Sequence, residues 1–276
     1  MIYHHIGINV RKAFSFIVTI FLSLYIISCS SSEEIIILPV EEHFVRAKAM
    51  FDNDDYLEAI EDFKIITVQF QGSEFGDDAQ YYLAECRFRR EEFILAAAEY
   101  DNLVRLMPGS PFAPAARYKR AESYYQLSPK SQLDQKYTRY ALDNFQTYIE
   151  FSPTDSLVQD AERKIEELTL KLSKKMFDGG KLYYRMEYYK AAVSYFDKLI
   201  QDYHDSPYVD DGMFWKAKCQ NERKDFSGAN QTLVELVTKF PATDLLKEID
   251  ELQKEIDADK LEYDEDQQKR QLSISE

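Results

Sequence analysis

A pattern of small and aromatic residues recurs along this chain at a fixed interval. The block Tyr56-x-x-Ala59-x-x-x-Phe63 returns as Phe93-x-x-Ala96-x-x-x-Tyr100, then as Ala141 followed by Phe145, Tyr189-x-x-Ala192 by Phe196, and Phe226-x-x-Ala229 by Leu233. Twelve residues before the Ala of four blocks lies another small residue, Ala47, Ala84, Gly180 or Ala217, with Ala121 displaced in the third, and Pro108, Pro153 and Pro241 lie twelve residues after it. The steps from Ala47 to Ala84 to Ala121, and from Gly180 to Ala217, are all 37 residues. A supersecondary unit of this length cannot bury its apolar face alone, so it must stack on copies of itself into a quasi-one-dimensional array.

The order small, aromatic, small, aromatic, Pro resembles the tetratricopeptide pattern, in which small residues let helices A and B of a unit approach and Pro ends helix B. The resemblance implies an all-α tetratricopeptide-repeat superhelix of about five helix-turn-helix units with a C-terminal capping helix. Only eight Gly and eight Pro among 276 residues, with 20 Tyr and 18 Phe, suit helices packed through rings. Ser110-Pro111 and Ser206-Pro207 predict an N-cap Ser followed by Pro at the first helical position. Asp77-Asp78 and Asp210-Asp211 fall near helix starts, where negative charge favours the dipole; they lack the alternating oxygen ligands of a calcium loop.

The step from Ala121 to Gly180 is 59 residues, 22 more than the others. Eight of these lengthen the turn of the third repeat through Leu127-Ser-Pro-Lys-Ser-Gln-Leu-Asp-Gln-Lys136. The remainder follow Pro153, where Ala161, Ile165, Leu168 and Leu172 repeat at helical spacing and predict a connecting helix from about Asp155 that divides the array. The expected organisation is therefore repeats one to three over 41–153, a connecting helix over 154–176, and repeats four and five with the cap over 177–262. A frayed polar tail is expected over 263–276.

Ahead of the repeats, Arg11 and Lys12 precede an uncharged apolar run over 13–27 that ends in Ile26-Ile27-Ser28-Cys29. This run resembles a lipoprotein signal with a lipobox: residues 1–28 are cleaved, Cys29 receives the lipid, and 29–40, beginning Cys-Ser-Ser-Ser-Glu-Glu34, form the tether. No cofactor is expected apart from this covalent lipid. Cys86 and Cys219 occupy the same position of two distant repeats and are expected to be separate buried thiols.

The net charge of −15 argues against a nucleic-acid backbone or an anionic lipid surface as the main partner. No CxxC, HExxH, GxGxxG, Walker or GxSxG motif occurs, so a non-enzymatic scaffold without a metal is expected. The candidate binding feature is an aromatic stripe on helix A. Phe44, Tyr81, Tyr118, Phe177 and Phe214 lie three residues before the small residue, and Phe51, Phe88, Tyr125 and Tyr184, with Asn221 breaking the series, lie four after it. Seven residues apart, the two sets share one face, either a groove for extended peptides or packing against the preceding helix B. Between them stand Lys48, Glu85, Glu122, Lys181 and Lys218, a change of sign that suggests different partners for the two halves.

The lipobox, the repeats, the insertion and the run Asp134-Gln135-Lys-Tyr-Thr-Arg-Tyr-Ala141-Leu-Asp-Asn-Phe145 followed by Asp160-Ala161 together resemble the BamD family of the outer-membrane β-barrel assembly machine. That resemblance implies a lipoprotein on the periplasmic side of the outer membrane of a Gram-negative bacterium. It implies binding to the POTRA region of a BamA-like barrel protein and to unfolded outer-membrane protein precursors. Phe44, Phe51, Tyr81, Phe88, Tyr118 and Tyr125 are then candidates for precursor capture, and Tyr184, Arg185, Phe214 and Lys218 for BamA contact. Two other readings fit the repeats: a Tol-Pal or peptidoglycan-machinery scaffold, and a SusD-like glycan-binding lipoprotein. The single Trp, Trp215, speaks against the last, whose sugar platforms are rich in Trp.

Overall fold

The structure, a computed structural model, describes residues 38–275. The signal, the lipobox with Cys29 and most of the tether lie outside the described residues. From Val40 onward the chain is one compact unit. It consists of helical hairpins α1 (Val40–Asp52) with α2 (Tyr56–Gln69), α3 (Gly76–Arg89) with α4 (Phe93–Leu106), and α5 (Ala113–Gln126) with α6 (Lys136–Phe151). After these come α7 (Val158–Arg185) with α8 (Tyr189–Asp202), α9 (Val209–Glu222) with α10 (Phe226–Lys239), and a final α11 (Leu246–Ser275). Each helix packs chiefly on its neighbours in sequence, as in a tetratricopeptide superhelix of five units and a cap.

The small residues at the predicted positions, Ala47, Ala59, Ala84, Ala96, Ala121, Ala141, Gly180, Ala192, Ala217 and Ala229, are all buried. Beside them Phe63, Tyr100, Phe145, Phe196 and Leu233 fill the space between helices and are buried as well. Each repeat's core also takes in the next repeat's helix A, so stacking completes what one hairpin leaves open; Ala79, Leu83 and Cys86 of α3 close the cluster around Phe63, for example. Cys86 and Cys219 are buried free thiols, and burial pushes each up to about 12, which keeps them protonated and unreactive.

Four of the five A-to-B turns are the same device. Asp54, Glu91, Glu187 and Lys224 adopt left-handed backbone with φ between 59° and 64°. At the second of these the Glu91 N–H donates to Phe88 O and the Glu92 N–H to Arg87 O, both at 2.9 Å, the paired bonds of a Schellman motif. Non-glycine residues are strained there. Glu91→Gly is therefore expected to raise stability by about 0.5–1 kcal/mol, less whatever the added freedom of the unfolded chain takes back. Urea denaturation of the single variant measures the difference.

The third turn carries the insertion instead, and buried Gln135 organises it. Its side-chain amide donates to Lys130 O at 2.8 Å and Leu133 O at 3.0 Å, while its carbonyl oxygen accepts from Thr138 Oγ1 at 2.7 Å. From α7, Lys171 reaches Ser128 Oγ at 2.9 Å and Lys175 reaches Leu133 O at 2.8 Å, holding the loop to the helix.

Three expectations need correction. The connecting helix does not form a separate element over 154–176: α7 runs 28 residues without a break. Its first half packs Ala161 and Leu168 on Phe145 and Tyr148, and its second half is helix A of repeat four. No breaker interrupts it, and Gly179-Gly180, which could, are the small residues that the Tyr195 and Phe196 rings require. Likewise the polar tail over 263–276 is not frayed: α11 stays helical to Ser275, although its last fully buried apolar residue is Ile256. Good helix formers and the Lys269–Asp266 pair suit an exposed helix.

Finally, Ser110 and Ser206 are not N-caps. The helices begin three residues later, capped by Phe112 and Tyr208, and the Ser hydroxyls accept from the N–H groups of those rings' residues at 3.1 and 3.3 Å. A tight turn thus precedes each helix because Pro after the Ser fits a turn as well as it fits a first helical position. Ser110 Oγ also donates to Asp77 Oδ2 at 2.7 Å, and Thr243 Oγ1 to Asp210 Oδ2 at 2.9 Å, so the first acid of each Asp pair latches one repeat to the next.

Candidate functional site

The ring stripe on the A helices does two structural jobs. Phe44 stacks on Phe75 at 4.9 Å, Tyr81 on Phe112 at 4.8 Å and Phe177 on Tyr208 at 5.5 Å, all within 25° of parallel. Each partner is the residue that caps the next helix A, so this first set joins repeats. The second set packs inside its own repeat, edge-on or tilted against the first residue of helix B: Phe51 on Tyr56 at 5.5 Å, Phe88 on Phe93 at 5.3 Å, Tyr184 on Tyr189 at 5.5 Å. Phe44, Phe51, Tyr81, Phe88 and Tyr125 remain half-buried, leaving ring edges to solvent, whereas Tyr118 is buried.

Tyr118 departs from its counterparts because Leu157 stands where a capping ring would stack. Its hydroxyl instead donates to the Asp160 carboxylate and accepts from Lys164 Nζ at 2.7 Å. Lys164, buried in α7, also meets Glu122 and Asp160 at 3.1 Å each, and its ammonium lies 5.0 Å from the Tyr118 ring centre and 5.2 Å from that of Tyr125. Arg163 pairs with Asp160 at 2.7 Å, and the Tyr125 hydroxyl donates to Glu167 at 2.6 Å. Lys119 meets Glu122 at 3.3 Å and lies 4.4 Å over Phe88; Glu85, buried behind it, accepts from the Tyr100 hydroxyl. Charge and rings thus form one continuous band from α3 to α7.

The titration of the band follows from these contacts. Burial alone would raise the Asp160 carboxyl, but the Tyr118 hydroxyl, Arg163 and Lys164 outweigh it and hold the group well below the ordinary carboxylate range. Burial would lower Lys164, yet Tyr118, Asp160 and Glu122 raise it above the ordinary lysine value. Burial, with the Asp160 bond adding to it and Lys164 opposing, pushes Tyr118 up to about 12. Asp160, Lys164 and Tyr118 keep their charge states at neutral pH, so this centre of the band is a fixed electrostatic feature rather than an acid–base apparatus.

In repeats four and five the candidates Tyr184, Phe214 and Lys218 converge on Trp215. Tyr184 meets its ring edge-on at 5.0 Å, Phe214 at 6.3 Å, and Lys218 Nζ lies 5.3 Å from its centre. Arg185, the last residue of α7, is exposed. Sequence reasoning missed Lys164 and Trp215. A lysine on an amphipathic helix reads as solvated, and only its four-residue step to Leu168 and Ala161's three-residue step before it mark Lys164 as facing inward.

Among the described residues no group of three or more His, Cys, Asp or Glu could hold a metal ion, and no helix is long and apolar enough to cross a membrane. What the surface offers is a face of ring edges and placed charges.

A family model matches residues 38–235; it is YfiO, described as an outer membrane lipoprotein. A curated relative, the outer membrane protein assembly factor BamD of Neisseria meningitidis serogroup B, is 22% identical over 219 residues, covering 76% of this chain and 82% of its own. Among solved structures, a tetratricopeptide repeat protein from Parabacteroides merdae is 16% identical with a TM-score of 0.35, covering 79% of this chain and 72% of that one. The tetratricopeptide domain of P58(IPK) is 16% identical with a TM-score of 0.41, covering 81% and 60%. With 198 consecutive residues matched, from the start of the described chain into α10, this chain belongs to the YfiO family of outer membrane lipoproteins.

Proposed function

We propose that this protein is a non-enzymatic scaffold of outer-membrane β-barrel assembly, anchored through a lipid on Cys29 to the periplasmic side of the membrane. It docks on the POTRA region of a BamA-like barrel protein and receives unfolded barrel precursors. The observation that carries this reading is the helix-A face: half-buried rings at a regular step along repeats one to three, with Lys48 over Phe51, Lys119 over Phe88 and Lys164 over Tyr125. An unfolded barrel precursor alternates polar and apolar residues and ends in an aromatic-rich strand, so a series of ring edges and charges can hold it reversibly without a nucleotide.

Phe51 and Phe88 are half-buried and carry no hydroxyl committed to a partner. A photo-cross-linking residue at Phe51 or Phe88 should capture nascent barrel precursors in intact cells, and one at buried Tyr118 should not. Equal capture at all three positions, or none at Phe51 and Phe88, would contradict the groove assignment. Cys29→Ser should move the protein from the outer-membrane fraction to the soluble one.

A further inference from the structure

Two lysines of repeats four and five differ from the other lysines of these helices, of which Lys174 pairs with Asp178 and Lys216 with Asp197, each at 2.8 Å. Lys48 pairs with Asp52 at 2.5 Å, Lys119 with Glu122 at 3.3 Å, and Lys164 with Glu122 and Asp160 at 3.1 Å. Lys181 and Lys218, at equivalent positions of repeats four and five, have no carboxylate within ion-pair distance among the described residues. Both instead lie over rings: Lys181 Nζ is 4.8 Å from the Trp215 centre and 5.3 Å from that of Phe177, and Lys218 Nζ is 5.3 Å from Trp215 and 5.8 Å from Phe214.

We infer that Lys181, Lys218 and Trp215 form a recognition platform for an acidic, extended protein segment that places carboxylates on the two amines and an apolar side chain against the rings. An ammonium over an aromatic face keeps hydrogens free on its outer side, and those are what a carboxylate takes. Asp211, whose carboxyl feels Lys181, is half-buried, and its burial together with Asp210 raises it above its ordinary value against the pull of Lys181. Charge complementarity names the partner: a net charge of −15 repels an anionic bilayer, while two fixed cations in a half-buried face select acidic side chains carried by a protein. The inference rests on the reading of repeats four and five as a partner-docking surface and specifies the chemistry of what docks there.

Trp215 is the only tryptophan of the chain, so its emission reports on this platform alone. The lipidated full-length protein in detergent is titrated with an eight-residue, end-blocked peptide alternating glutamate and phenylalanine, and with the same peptide carrying glutamine. The glutamate peptide should change the emission saturably, about tenfold more tightly than the glutamine peptide, and lose about tenfold in affinity in Lys181→Gln/Lys218→Gln. Lys269→Gln, paired with Asp266 on the exposed end of α11, should leave binding unchanged. Circular dichroism confirms that the variants are folded. Equal binding of both peptides, indifference to the lysine pair, or lysine-dependent binding of anionic phosphatidylglycerol vesicles in place of the peptide would overturn the inference. Peptide binding that holds while no POTRA-containing protein ever co-purifies would support the platform and overturn the assembly reading; the reverse pair of results would do the opposite.

Discussion

Phe196→Ala is expected to lower stability by about 3–5 kcal/mol, the largest loss from any single substitution considered. Phe196 is fully buried, faces Phe177, and sits where helices A and B of repeat four approach most closely. The fit is reciprocal. A Cβ added at Gly180 would come 2.5 Å from Phe196 Cε1, so the ring fills the space that glycine vacates. Gly180→Ala should therefore cost about 1–3 kcal/mol by overpacking. Combining Gly180→Ala with Phe196→Leu, which shortens the clashing side chain, should cost less than the two single changes added together. Denaturant unfolding followed by circular dichroism and by Trp215 emission provides the four values, and strict additivity would refute the reciprocal fit.

Lys164→Ala should cost about 2–4 kcal/mol, because it leaves Glu122 and Asp160 facing each other beside the buried Tyr118 hydroxyl. The lower part of that range reflects Asp160, whose side chain is 34% exposed and partly screened by water. Replacing the whole group, Lys164→Met with Glu122→Gln and Asp160→Asn, should recover most of the loss, since no buried charge is left uncompensated and the more exposed Arg163 and Lys119 keep Glu167 and Glu85 nearby.

The pH dependence has a definite sign. Asp160 is held below its unfolded value, so its contribution is complete above about pH 4, the ordinary carboxylate value, and is lost as pH falls further. Asp62 behaves alike: burial would raise it, but Arg46 and His43 outweigh that. Lys164 is raised, so its contribution persists through neutral pH and is lost only at strongly alkaline pH. Stability should be flat between about pH 5 and 8 and fall below 4, with Asp160→Asn flattening the acid limb.

The repeats were legible because packing sterics leave a periodic mark. Where two helices nearly touch only Ala or Gly fits, and the residue beside it must be large, so the small positions named from the sequence and the large Phe63, Tyr100, Phe145, Phe196 and Leu233 beside them are buried. The four left-handed turns were not legible, since Asp54, Glu91, Glu187 and Lys224 occupy positions where glycine would have marked the backbone. The continuity of α7 escaped for the opposite reason: Gly179-Gly180 look like a break but serve close packing. Lys164 and Gln135 were missed as buried organisers because their residue types usually face water, and only their partners across the fold, Tyr118 and the insertion's carbonyls, reveal the role. Within the site, the stripe was legible as a face, but how much of each ring stays exposed depends on stacking partners that lie on the next repeat.

The central claim is that this protein is a docking scaffold of barrel assembly. It is tested most directly by purifying the natively lipidated protein from detergent-solubilised outer membranes, identifying what accompanies it by mass spectrometry, and comparing Phe214→Ala/Lys218→Ala. The account predicts recovery of a POTRA-containing barrel protein, weakened by the double change. Recovery of only peptidoglycan-linked or glycan-uptake proteins would contradict it.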